Sequence, residues 1–294
     1  MNTDQPKLLC FGEILWDFLP AGLFPGGAPF NVAYHLNQQG AEVTLISAVG
    51  RDKLGDELIR RIKTWGLDTD TITLHPGLPT GYVRADIAPN GDATYEIMPS
   101  VAWDQITPTQ DALQAAMSAS GIIFGSLSQR SPVNLYALDR MLATLPPNAW
   151  RIFDVNLRPP HDGLTRVREL ARHSTLLKLN ASEAARLSSD EHESPGREES
   201  DARALAKQTG CRTICITSGE RGAGLLRNGT WHWEDAHTVQ VVDTIGAGDA
   251  FLASLVADLI LGQLSDANCL AKASRLGEWV VTQYGATPVY PKEV

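Results

Sequence analysis

The chain has 294 residues, a formal net charge of −9, 43% hydrophobic residues and 20% charged ones, a composition that suits one large or two smaller globular units with a sizeable core. The acidic balance, with no dense Lys/Arg run, excludes the electrostatic footprint of a nucleic-acid binder. No apolar stretch approaches membrane-spanning length, so no membrane partner is expected either.

The first residues, MNTDQPKLLCFGEILWDF, lack the basic start and small-residue cleavage site of a signal peptide, and a cytoplasmic location is expected. KLLCF (7–11) reads as a strand. It is followed by FGEILWDF rather than G-x-G-x-x-G, which weakens a dinucleotide fold. Further strands are predicted at 42–49, 121–125, 151–155, 175–179 and 213–217. Helical patterns run over 29–39, 55–65, 108–117, 132–145, 165–173 and 201–209. Thr107-Pro108 and Ser131-Pro132 each place a capping hydroxyl before a proline suited to a first helical turn. This β-α repetition implies an α/β protein with a mostly parallel sheet covered by helices.

Two regions break the alternation. Residues 80–97, TGYVRADIAPNGDATYEI, alternate like strands around Asn90-Gly91, a hairpin turn. SSDEHESPGREES (188–200) reads as a charged, mobile loop. The four cysteines, Cys10, Cys211, Cys215 and Cys269, lie among apolar residues without C-x-x-C spacing and predict buried free thiols. No G-x-x-x-x-G-K-[ST] P-loop occurs, and Gly219, Gly222 and Gly224 in SGERGAGLL suggest a turn.

The chemistry concentrates in two stretches. VDTIGAGDAF (242–251) places Gly246, Ala247 and Gly248 where a β-type run gives way to the helical run LASLVADLILG. Bare backbone N–H groups at a helix start have no intrahelical partner and carry the positive end of the dipole, so they favour an anion. Asp249 sets a carboxylate beside that place: a base, or merely an acid that stabilises the first helical turn. The dipole should favour its ionised form and make it a weak base until the transition state. In FPGGAPFNVAYHLNQQG, Gly26 and Gly27 permit close backbone approach and Asn31 offers an amide to a polyhydroxylated ligand. A plain Gly-Gly turn with a local cap is the alternative.

GGAPFNVA, with Gly40 and Gly50 following, and DTIGAGDAF together resemble the paired signatures of the ribokinase-like, or PfkB, family of carbohydrate kinases. FDVNLRP, KLNASEAARL and TSGERGA occur in the matching order, and GGAPFNVA is similar to the fructokinase branch. Ser254 departs from the family's usual Gly, with an expected effect on helix packing only. The resemblance implies one domain over 1–294 with a ribokinase-like three-layer α/β/α fold and a small β lid from parts of 13–24 and 80–97. It also implies transfer of the ATP γ-phosphoryl group to a sugar hydroxyl.

By position, Asp249 resembles the family's catalytic base and the N–H groups of Gly246, Ala247 and Gly248 its anion hole. Asp17 resembles an early sugar-binding aspartate, with a solvated turn before Pro20 as the alternative. Asn156 and Arg158 follow a strand and are candidates for sugar or phosphate. Asn180-Ala181-Ser182-Glu183 is both a capping-box pattern and the family's N-x-x-E, where Glu183 helps organise Mg²⁺ through water. Thr217, Gly219 and Gly222 resemble nucleotide-loop positions, and Asp243 with the Ile245 carbonyl resembles part of a monovalent-cation (K⁺) site. His35 and Trp103 are left to packing.

The expected activity is an ATP-dependent fructokinase, with kinases for ribose, a nucleoside or 2-keto-3-deoxygluconate as alternatives. Arg84 on the lid ribbon would bind the carboxylate of the last. A dinucleotide-dependent oxidoreductase and a non-catalytic sugar-binding protein stand outside this class. A homodimer through the lid is expected because a two-stranded ribbon with free edges is rarely stable alone.

Overall fold

The computed structural model describes residues 5–19, 22–87 and 93–291. The chain enters through β1 (Lys7–Phe11) and folds out β2 (Leu15–Leu19) and β3 (Gly22–Gly26) before α1 (Ala28–Gln38) and β4 (Glu42–Gly50). After α2 (Lys53–Thr64) and β5 (Ile72–His75), a second excursion forms β6 (Gly81–Ile87) and β7 (Ala93–Ile97). The alternation resumes with α3 (Gln110–Ala116), β8 (Gly121–Gly125), α4 (Pro132–Thr144), β9 (Trp150–Asp154), α5 (Leu164–Arg172) and β10 (Leu176–Asn180). It closes with α6 (Ala181–Ser189), α7 (Glu198–Thr209), β11 (Thr213–Thr217), β12 (Gly222–Arg227), β13 (Thr230–Asp235), α8 (Ala247–Leu261) and α9 (Asp266–Val281).

Among the described residues, nine strands form one sheet in the order β13-β12-β11-β10-β9-β8-β1-β4-β5. All pairs are parallel except the last two hairpin partners, β11–β12 and β12–β13. From β1 the chain builds outward through β4 and β5, then returns to the other side of β1 and builds through β8 to β11. That reversal is a topological switch point, and the crevice outside the strands' carboxyl ends there is where such sheets bind ligands.

Helices cover both faces. One core packs Phe124, Phe153, Leu177 and Leu179 against α3 to α7. The other packs Leu8, Cys10, Leu45 and Cys215 against α1, α2, α8 and α9. All four cysteines are buried and free, as their apolar settings imply.

The predicted elements are found, with shifted ends. Thr109, not Thr107, caps α3 by accepting from Ala112 N at 3.1 Å, which leaves Pro108 outside the helix. Ser131 caps α4 as expected, accepting from Val133 N at 3.2 Å. The 188–200 segment is not a free charged loop: α6 and α7 take its ends. Between them Arg197 donates to Asp201 (2.7 and 2.9 Å), Glu191 (2.8 Å) and Ser189 Oγ (2.8 Å). Residues 219–221 do form a turn, but Gly222 to Arg227 continue as β12, and β5 and β13 were not foreseen.

The lid is larger than a ribbon. β2 pairs with both β3 and β6, and β6 with β7, making a four-stranded sheet in the order β3-β2-β6-β7. The instability of an isolated two-stranded ribbon therefore gives no reason for a dimer. The Asn90-Gly91 turn lies outside the described residues.

Helix α8 is buried all round from Asp249 to Leu259. Ser254 is completely buried within it, and its hydroxyl has no hydrogen-bond partner. An unmet buried hydroxyl costs about 1–3 kcal/mol of desolvation. Ser254→Ala should therefore stabilise the protein by about 1 kcal/mol and leave turnover unchanged; a thermal melt showing a lower Tm would contradict this.

Candidate functional site

The two helices with the signature sequences meet end to end. Asn31, in the first turn of α1, donates from Nδ2 to Asp249 Oδ2 in the first turn of α8 at 2.8 Å, in a buried contact. Residues 218 apart in sequence thus place two positive helix ends at one spot. The start of α1 depends on glycine. Gly27 takes φ +111°, and a side chain there would strike the Glu13 carbonyl. A side chain at Gly26 would occupy the space of the Asp17 carboxylate. Helix α8 begins with Gly246 at φ +78° and no side-chain cap, and of its first amides Ala247 N reaches only the Thr244 carbonyl, at 3.4 Å.

Around this junction lie the strand ends. Asp17, on β2, feels the charges of Asp249 and Arg158. Arg158 is exposed on the loop after β9 and also acts electrostatically on Glu13 and Asp249. Asn156, in the same loop, takes φ +39°, a left-handed conformation that Asn tolerates. At the end of β10, Asn180 and Glu183 form a complete capping box. Asn180 Oδ1 accepts from Glu183 N (2.8 Å), and Glu183 Oε2 accepts from Asn180 N (2.9 Å). Glu183 Oε1 also accepts from Leu157 N at 2.7 Å, so this carboxylate ties the β9 loop to α6.

Thr217, Gly219, Gly222, Thr244, Ala247 and Gly248 line one cavity of about 780 Å³ that runs from the turn after β11 to the start of α8. The predicted nucleotide-loop positions and part of the anion hole therefore share a wall. Asp243 accepts from Ile245 N and Gly285 N, both at 3.0 Å, and so joins the loop before α8 to the C-terminal segment. Among the described residues, no three His, Cys, Asp or Glu side chains gather as a metal site.

Arg84 does not join this group. In the β2–β6 register it shares the face of Phe18, whereas Asp17 pairs with Val83 on the opposite face. Its guanidinium is exposed and paired with Glu96 at 2.9 Å. His35 and Trp103 are packing residues as expected: His35 is buried between Tyr290 Oη and the Ala286 carbonyl, both at 2.9 Å, and Trp103 is fully buried.

Three residues escaped the sequence reading. Glu13 just after β1, Asp154 at the end of β9 and Lys178 within β10 are buried. The available signal was a charged residue inside an apolar run, as in LLKLN and IFDV. The backbone N–H groups of Glu13 itself and of Ala28, at the start of α1, favour its carboxylate, but less than burial disfavours it. Its Oε2 has no partner.

The electrostatics reverse one expectation. Rather than being held ionised by the helix dipole, Asp249 is pushed up to about 6, chiefly by burial and then by Asp154, against the pull of Lys178, Asn31 and Arg158. Burial likewise pushes Glu13 and Asp17 up to about 7, with Asp249 adding repulsion in each case. The loss of water is the largest influence here.

A mostly parallel nine-stranded sheet with helices on both faces and a small second sheet as a lid define a three-layer α/β fold. Residues 20–293 match the pfkB family carbohydrate kinase, and the chain belongs to that family; it is a carbohydrate kinase. It is 29% identical to the aminoimidazole riboside kinase of Salmonella typhimurium, over 91% of this chain and 85% of that protein. It is 27% identical to a fructokinase of Escherichia coli, over 97% and 96% of the two chains. The crystal structure of aminoimidazole riboside kinase from Salmonella enterica, complexed with aminoimidazole riboside and an ATP analogue, superposes with a TM-score of 0.76. That match covers 96% of this chain and 95% of the other at 26% identity.

The clustered carboxyls make a stability prediction. A Glu13 pKa raised from the ordinary carboxylate range to about 7 means that the folded state binds the extra proton. The resulting stabilisation is present at low pH and lost as pH rises through 7. Glu13→Gln mimics the protonated form, so its melting temperature should gain on the wild type's between about pH 4.5 and 7 and the difference should level off above that. A constant difference across that range would show that Glu13 is not protonated preferentially on folding.

Proposed function

We propose that the protein is an ATP-dependent kinase whose acceptor is fructose or a closely related ketose. The observation that carries this reading is the Asn31–Asp249 hydrogen bond, which sets a carboxylate, an amide and an uncapped helix start at one point. The unpartnered Asn31 Oδ1 and the Asp17 carboxylate are acceptors suited to sugar hydroxyls. Similarity to the Escherichia coli fructokinase over almost the whole chain supports the choice of sugar. With Arg84 on the other face of the lid, a 2-keto-3-deoxygluconate carboxylate loses its expected partner. A riboside is the second reading, favoured by the 29% identity to aminoimidazole riboside kinase.

In this mechanism the sugar hydroxyl oxygen forms a bond to the γ-phosphorus while the bond to the β,γ-bridging oxygen breaks and leaves its electron pair on ADP. The hydroxyl proton passes to Asp249. The amides of Gly246, Ala247 and Gly248 offset charge on the moving group. Asn156 and Arg158, in the loop after β9, are assigned to the sugar or phosphate, and Thr217, Gly219 and Gly222, which line the cavity beside α8, to the nucleotide. Magnesium arriving with ATP would neutralise phosphate charge; Glu183, with both oxygens already holding amides, fits contact through water, beside Asn180. Asp243 keeps lone pairs on both oxygens and fits, with the Ile245 carbonyl, a potassium ion. A homodimer through the lid, for which the edge strands β3 and β7 of the four-stranded sheet are the remaining support, and a cytoplasmic site of action complete the proposal.

ADP release should be measured with ATP and fructose, ribose, aminoimidazole riboside and 2-keto-3-deoxygluconate, with NAD(P)H absorbance followed in parallel. Fructose should give the highest kcat/KM; preference for the riboside would replace the first reading by the second.

Asp249→Asn should lower kcat by about 10² to 10⁴, the usual cost of losing a general base, without weakening ATP binding. A base must be ionised to work. With Asp249 at about 6, kcat/KM should rise through an acid limb near pH 6 that this substitution removes. Near-normal sugar phosphorylation by the folded variant would exclude Asp249 as the base.

A further inference from the structure

Lys178 is neither a sugar contact nor a proton acceptor in the mechanism above, yet its ammonium is buried, 7% exposed, beneath the first turn of α8. In the β9–β10 register Asp154 lies beside it, and Cys215 flanks it on β11, so both charges point to the sheet face that α8 covers. The Nζ lies 3.1 Å from Asp154 Oδ1 and donates to Oδ2 at 3.3 Å. Among the described residues, that carboxylate is its one hydrogen-bond partner. An ammonium carries three donors, so donors remain unspent in a place where that is costly.

The ammonium is aimed at the helix start. A Cβ added at Gly248 would lie 3.1 Å from Nζ, tighter than ordinary contact. Gly248 has no positive φ that would require glycine, and a side chain there would crowd the cation. Burial alone would push the ammonium down, but Asp154, Asp249 and Glu183 outweigh it and hold Lys178 above its usual range. A full positive charge therefore stands beside the uncapped amides of α8, an arrangement that calls for an anion.

We propose that Lys178 is a catalytic residue whose ammonium completes the anion hole by contacting the transferred phosphoryl group across Gly248, with Asp154 as the counter-ion that holds it in place. The proposal rests on phosphoryl transfer from ATP, but on no particular sugar. Lys178 gives up no proton and no electron pair. As the bond to the bridging oxygen breaks and the bond to the sugar oxygen forms, it offsets the negative charge on the three peripheral oxygens.

The test compares Lys178→Met, Asp154→Asn and the double variant, all at pH 8, where Asp249 is ionised. Removing Lys178 alone leaves Asp154 buried without a partner and threatens folding; the double variant removes both charges and carries the comparison. If Lys178 meets the phosphoryl group, the folded double variant should keep kcat lowered by about 10² to 10³, the usual cost of an anion-hole donor. Its affinity for ATP relative to ADP should also fall by about ten- to hundred-fold, because only ATP has the γ-phosphoryl group. Recovery of kcat in the double variant, with an unchanged ATP-to-ADP ratio, would reduce Lys178 to a structural partner of Asp154 and overturn the proposal. The binding ratio is independent of the acceptor, so it reads the role of Lys178 whichever sugar is phosphorylated. A wild-type protein that binds neither nucleotide would overturn this proposal and the ATP-dependent reading together.

Discussion

The arrangement depends on two helices beginning at the same point. The bond from Asn31 to Asp249 pins the start of α1 to the start of α8, and both positive dipole ends then face one crevice. Without that convergence, Glu13, Asp17 and Asp249 would be three carboxyls losing water together with little in return. Their upward shifts, to about 7, 7 and 6, show that the return is partial. Burying charge is expensive even with partners.

The sheet supplies the other half. Parallel pairing sends β5, β4, β1, β8, β9, β10 and β11 toward the same edge, so Glu13, Asp154, Lys178, Asn180 and Thr217 arrive there by topology, whatever their separation in sequence. Asp154 and Lys178 are register neighbours, and their opposite charges meet as a consequence of strand pairing. The lid leaves the body twice, after β1 and after β5, and returns close to the same edge. Arg130 ties the return to the body: it donates to Met98 O at 2.7 Å, chelates Asp104 at 2.7 and 2.8 Å, and stacks on Trp103 at 4.1 Å. Such a planar, forked cation holds one geometry where a lysine would not.

The C-terminal segment braces the turn before α8 from outside. Tyr34 donates to Pro288 O at 2.6 Å, His35 meets Ala286 O at 2.9 Å, and Asp243 accepts from Gly285 N. Ala286 in turn packs against Gly246 closely enough to leave no room for a side chain there. Helix α1 therefore positions the site at both ends, through Asn31 at its start and Tyr34 and His35 farther along.

Local chemistry was enough to read much of this from the amino-acid order. The alternation of elements, the caps such as Ser131 and Asn180, the uncapped Gly246–Gly248 start and the resemblance carried by GGAPFNVA and DTIGAGDAF all depend on neighbours within a few residues. Edge strands such as β13 were missed because half-exposed TWHWED has no continuous apolar run, and the lid's four-strand pairing joins segments about sixty residues apart. The protonation of Asp249 was misjudged for a related reason: a dipole is visible in sequence, but desolvation and the repulsion of Asp154 exist only after folding. Likewise, LLKLN marks Lys178 as a charge within a strand, but which carboxylate it pairs with, and that Gly248 stands aside for it, were decided by strand register and by the packing of α8 across the sheet.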